Sequence, residues 1–128
     1  MCGIYLTNLP LKEDKLKIKL DGISHRGPDF TGTLQQDSLS FGHTRLSILD
    51  LDPRANQPML HEDYVLVFNG EIYNYKTIKN ELEELGETFS TQGDSEVLLV
   101  GYKRWGKALV PKLNGMFAFS IYDREKKE

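Results

Sequence analysis

The sequence predicts an α+β domain built on antiparallel strands, and three observations carry that expectation. Short runs of β-branched and aromatic residues (Gly3–Thr7, Tyr64–Phe68, Met116–Tyr122) read as strands. Segments with apolar residues at spacings of three and four read as helices, and they fall between the strands without strict βαβ alternation. The 128 residues, 39% hydrophobic and 27% charged, match ordinary usage for one globular domain.

The elements follow in order. Gly3–Thr7 begins a strand almost at the N-terminus, where pairing would tie down an end that otherwise frays. From Lys12 to Ile23, Leu16, Leu20 and Ile23 share one helical face, while Lys12, Lys15 and Lys19 are left to solvent. Ser24–Gly32 holds two glycines, a proline and short polar residues and reads as a loop. Two strands are expected at Gly32–Gln35 and Ser38–Leu46, turning near Asp37, and Asp50–Pro58 reads as irregular. Tyr64–Phe68 is a buried strand bounded by Asn69-Gly70, a pair that signals a type I′ hairpin turn. Asn74 is placed to cap a helix through Ile78, Leu82 and Leu85 that stops at Gly86. Asp94 is placed to cap a second helix through Val97, Leu98, Tyr102 and Trp105, closing near Gly106. A last apolar strand, Met116–Tyr122, precedes a charged tail.

Composition excludes several classes. With 16 basic against 19 acidic residues, the net charge of −3 leaves no footprint for nucleic acid. No apolar run approaches the roughly 20 residues of a membrane span, and Gly3–Leu11 is too short for a signal peptide, so no membrane role and a cytoplasmic location are expected. Cys2 is the single cysteine, which rules out an intrachain disulfide. His25, His43 and His61 are too widely spaced for a short metal motif, and no phosphate-cradling glycine loop occurs, so no metal is expected.

Chemistry centres on a few positions. Cys2 taken alone reads first as a small buried hydrophobe. If Met1 is removed, however, its thiol gains an α-amine with a pKa of about 7.7 to 8.0, suited to a general base. Asn69 and Gly70 read first as a hairpin turn, but an Asn side-chain amide and an adjacent backbone N–H can also form an oxyanion hole, and spacing does not separate the two. Arg45 presents a fork of donors suited to a carboxylate, and Asp94, with Glu71 as a weaker candidate, is suited to an ammonium. A Cys2–His43 dyad is chemically available, but nothing in the sequence sets His43 apart from a satisfied structural histidine.

The wording and order of the segments are more specific than any one of them. Met1-Cys2-Gly3-Ile4, Ser24-His25-Arg26-Gly27-Pro28-Asp29 and Gly42-His43-Thr44-Arg45-Leu46-Ser47-Ile48 come first. Gln57-Pro58-Met59, Phe68-Asn69-Gly70-Glu71-Ile72-Tyr73-Asn74, Gly93-Asp94-Ser95-Glu96 and Leu113-Asn114-Gly115-Met116-Phe117-Ala118-Phe119 follow. Together they resemble the N-terminal glutaminase domain of glutamine-dependent asparagine synthetases. These are class II glutamine amidotransferases with the Ntn-hydrolase fold, layered αββα.

The resemblance implies a role for each matching position. Cys2 becomes the nucleophile once Met1 is removed, its amine the base, and a γ-glutamyl thioester the intermediate. Asn69 and Gly70 form the oxyanion hole, Arg45 grips the substrate carboxylate, and Asp94 with Glu71 meets its ammonium. Leu46 and Ile48 line the pocket through backbone groups. It further implies that residues 1–128 are a partial glutaminase domain, truncated on the C-terminal side, with the synthetase domain absent. The partners implied are glutamine, that synthetase domain and a second copy as a homodimer. No cofactor is implied in this chain, ATP and magnesium belonging to the synthetase domain. Two rivals stand beside this expectation: a non-catalytic fragment acting as a binding or structural module, and the glutaminase of another class II amidotransferase, such as a sugar-amidating enzyme.

Overall fold

The two strand-rich stretches each close into a three-stranded antiparallel sheet in the computed structural model, which describes residues 1–128. The first sheet has the order β1 (Gly3–Thr7), β3 (Leu39–Arg45), β2 (Phe30–Gln36). Gly3 lies opposite Thr44, and Gln36 opposite Leu39 across a tight turn where Asp37 takes φ 53°, a conformation aspartate tolerates. The second sheet has the order β4 (Met59–His61), β5 (Tyr64–Ile72), β6 (Gly115–Asp123). Three helices complete the set: α1 (Glu13–Asp21), α2 (Tyr75–Glu84) and α3 (Asp94–Trp105). None is long and apolar enough to cross a membrane.

Strand periodicity decides which side each residue serves. Val65 and Val67 of β5 meet Phe41 and Tyr122 in a cluster between the two sheets. Leu66, Phe68 and Ile72 point the other way and join Ile78 and Leu82 of α2 and Val97 to Val100 of α3 in the main core. On the far side, α1 buries Leu16 and Leu20 against the first sheet. Leu20 sits so close to β3 that a Cβ on Gly42 would come within 2.7 Å of it. The order across the molecule is therefore α1, first sheet, second sheet, then α2 with α3. The expected α+β class with antiparallel sheets holds.

Three expectations are corrected, and one strand for which none was stated, β4, is added. Asn69-Gly70 is no hairpin turn: β5 runs on to Ile72, with Asn69 opposite Ala118 and Gly70 opposite Phe117. Gly70 takes φ 145° and a Cβ there would lie 2.2 Å from the Met116 carbonyl oxygen, so this glycine serves close strand approach rather than a turn. β4 was hidden in a stretch too short and too polar to register as a strand. Asn74 occupies the N-cap of α2, but its side chain makes no capping bond. It instead accepts from Asn114 N at 2.9 Å and donates to the Lys112 carbonyl at 2.9 Å, tying the helix start to the approach of β6. Gly93, not Asp94, is the N-cap of α3, and the Asp94 carboxylate is turned to the Ile72 N–H.

Candidate active site

The two sheets meet at one end in a pocket, and the elements that border it bring most of the singled-out residues together. Cys2 lies just before β1, and pairing of β1 with β3 carries it beside the end of β3. There its half-buried sulfur accepts a hydrogen bond from Leu46 N at 3.4 Å. The Cys2 carbonyl accepts from Arg26 Nε at 3.0 Å, and the Gly3 N–H donates to Thr44 Oγ1 at 3.1 Å. These bonds fix the backbone on both sides of the thiol. Cys2, Arg45, Leu46, Ile48, Gly70, Glu71 and Asp94 all line the pocket. Asn69, next to Gly70 on β5, is not among the lining residues, and its Oδ1 is buried without a hydrogen-bond partner.

The charged groups differ in how they are held. Arg45 is buried, and its guanidinium donates to Asn56 Oδ1 at 2.6 Å, to the carbonyls of Asp52 at 3.3 Å and Leu49 at 3.4 Å, and to that of Asp50. Its fork is thus laid into the Leu49–Asn56 loop. Asp50 ties the same loop to the approach of α3, accepting from Gln92 N at 2.6 Å. Asp94 is 5% exposed, and burial pushes its carboxyl up despite the Ile72 N–H at 2.9 Å, with the nearby Glu71 charge adding to the rise. Glu96, also in the first turn of α3, accepts from the N–H and hydroxyl groups of both Ser90 and Thr91. Burial opposes its ionisation, but those four donors outweigh it and hold the carboxyl below its ordinary range. The segment leading into Asp94 is anchored by that carboxylate.

Among the lining residues outside the expected set, three carry polar side chains: His43, Gln57 and Ser95. His43 is wholly buried, and burial first, with the Arg45 charge adding, pushes its pKa down to about 4 against the Phe68 carbonyl bond. The imidazole is therefore neutral at pH 7. Its Nε2 lies 3.2 Å from the Phe68 carbonyl oxygen, which can only accept, so the proton sits on Nε2 and Nδ1 is left without a partner. Gln57 accepts from Phe68 N at 2.6 Å through Oε1 and donates from Nε2 to Ser95 Oγ at 3.2 Å. Gln57 belongs to one of the segments that carry the resemblance, but its local sequence assigns it no role, because its partners lie on β5 and α3. Taken together, the pocket is lined by a thiol, an arginine, two carboxylates and the Gly70 stretch of β5.

Comparison with known proteins covers the whole chain. Residues 1–128 match the family described as the glutamine amidotransferase domain. The chain is 44% identical over 115 residues, 88% of its length and 18% of the relative's, to asparagine synthetase (glutamine-hydrolyzing) 1 of Bacillus subtilis (strain 168). It is 36% identical over 134 residues, 98% of its length and 24% of the relative's, to asparagine synthetase B (glutamine-hydrolyzing) of Escherichia coli (strain K12). Over 119 residues, 90% of its length and 18% of the relative's, it is 37% identical to amidase chry2 of Gibberella zeae. The chain thus spans between 18% and 24% of the length of these relatives.

Proposed function

The chain belongs to the glutamine amidotransferase domain family, and from that premise we propose that it hydrolyses glutamine to glutamate and ammonia through a thioester on Cys2, on an αββα sandwich of the Ntn-hydrolase kind. The observation that carries this reading is the single pocket in which a thiol, an arginine and two carboxylates converge. An amino acid zwitterion needs one cation and one or two anions, and acyl transfer needs a nucleophile, a base and an oxyanion hole.

The chemistry begins with removal of Met1, which frees the Cys2 amine. That amine takes the thiol proton, and the thiolate attacks the carbonyl carbon of the glutamine side-chain amide. The oxyanion that forms is met by the Asn69 side-chain amide and the Gly70 N–H; removing one such donor typically costs about 100-fold to 1000-fold in turnover. The C–N bond then breaks, the departing nitrogen takes the proton held by the Cys2 amine, and ammonia leaves a γ-glutamyl thioester. Water, deprotonated by the same amine, cleaves the thioester to glutamate and restores the thiol. Asp94 and Glu71 hold the substrate ammonium, and Leu46 and Ile48 border it through backbone groups. Arg45 takes the α-carboxylate in exchange for the loop carbonyls its donors now reach.

In a longer protein of the kind the asparagine synthetases represent, the ammonia would be delivered to a synthetase domain that uses ATP and magnesium to amidate an acceptor carboxylate. Release of glutamate on addition of glutamine, lost in Cys2→Ala, is the expected result. Glutamine binding with no release would overturn the reading and leave a binding module.

A further inference from the structure

The Phe68 backbone, one residue before the Asn69-Gly70 pair, is held by two side chains where a strand would otherwise hold it. β4 pairs with β5 only as far as Met59 opposite Leu66. The residue before Met59 is Pro58, which has no N–H to continue the ladder. The N–H and C=O of Phe68 are buried and need partners. Gln57 Oε1 accepts from the N–H at 2.6 Å, and His43 Nε2 donates to the C=O at 3.2 Å. Gln57 is itself held through Ser95 Oγ at 3.2 Å.

We propose that His43 and Gln57 are positioning residues, a two-point clamp on the Phe68 backbone that aims the Asn69 side chain and the Gly70 N–H at the reacting amide. The proposal rests on the glutaminase reading above. Its physical core is that the Phe68 carbonyl and the Asn69 N–H share one rigid peptide plane, so the bond from His43 sets the plane from which Asn69 departs. Gln57 sets the preceding plane. On the other edge β6 holds the strand, with Gly70 opposite Phe117, so the oxyanion donors are gripped from both sides. The histidine carries a cost, since its buried Nδ1 has no partner. A side chain serving only to fill space there would carry no such orphan.

The clamp is tested by turnover per active site, with sites counted by stoichiometric labelling with an electrophilic glutamine analogue. His43→Leu and Gln57→Met are expected to lower kcat per labelled site by about 10-fold to 100-fold with KM within about threefold, the pattern of a misplaced transition-state contact. His43→Gln, which keeps a donor of similar reach, is expected to recover most of that loss. Because both clamps act on one strand, the double variant is expected to lose less than the product of the single losses. If the variants lower only the melting temperature and the labelled fraction, with kcat per site unchanged, the residues are purely structural and the proposal is overturned. His43→Gln and Gln57→Met carry the same comparison if His43→Leu yields no folded protein. Wild-type protein that takes the label but releases no glutamate overturns the glutaminase reading and the clamp together. Normal wild-type turnover beside unchanged variants overturns the clamp alone.

Discussion

The central strands of the two sheets, β3 and β5, each carry a long buried run, and the two runs are oppositely composed. From Val65 to Phe68, β5 is wholly apolar and supplies both the cluster between the sheets and the main core. β3 buries Ser40, His43, Thr44 and Arg45 along its length. Each of these polar groups is spent on a distant piece of chain. Ser40 Oγ donates to the Leu9 carbonyl and accepts from Leu11 N, both at 2.8 Å, while Thr44 holds Gly3, His43 holds Phe68 and Arg45 holds the Leu49–Asn56 loop. The difference teaches a division of labour. β5 supplies non-directional burial, and β3 supplies directional bonds that set where the segments around the pocket lie.

The sharpest way to break the comparison is on β5, where the apolar strand runs into the pocket. Gly70→Ala places a methyl 2.2 Å from the Met116 carbonyl at φ 145°, and is expected to cost at least about 3 kcal/mol in denaturant unfolding and to abolish turnover. Leu66→Ala, at a fully buried position, is expected to cost about 2 to 5 kcal/mol while leaving kcat per labelled site unchanged.

Asp94→Asn separates function from stability. Burial raises the Asp94 carboxyl in the folded state, so its contribution to stability is present below its unfolded pKa and is lost as pH rises through its folded one. Above that pH the buried charge costs stability, and there the asparagine variant is expected to unfold at the same or higher denaturant concentration. On the proposed role of Asp94 at the substrate ammonium, the variant's KM for glutamine is expected to rise about 10-fold to 100-fold with loss of a charge-assisted partner. The same sign makes wild-type KM rise as pH falls through the folded pKa.

On β3, Thr44→Val leaves the Gly3 N–H without its acceptor and is expected to cost about 1 to 2 kcal/mol, with reduced labelling at Cys2 as the mark of a loosened nucleophile. Lys17→Ala removes an exposed pair with Glu13 on α1, remote from both strands, and is expected to change stability by less than about 0.5 kcal/mol.

The same contrast explains how far the sequence could be read. Strands with strong local pattern, such as Gly3–Thr7 and the apolar part of β5, were apparent, as was α3 through Trp105. Local rules misled where tertiary partners outbid them. Asn69-Gly70 carries a turn signal, yet β6 pairs straight through it. Asn74 and Asp94 carry cap signals, yet Asn114 and Ile72 claim their side chains. Most of the expected site residues do share one pocket; the resemblance singled them out, and strand pairing rather than any local pattern brings them together. His43, weighed only as a dyad partner for Cys2, and Gln57, noted only within a matching segment, receive no clamping role from sequence because their bonds to Phe68 span 25 and 11 residues.

The most direct measurement is the intact mass of the purified chain before and after incubation with an electrophilic glutamine analogue. The account predicts a mass lacking Met1 that gains one adduct, an adduct lost in Cys2→Ala and suppressed by free glutamine. A chain that keeps Met1, or one that lacks it and gains no adduct, would contradict it.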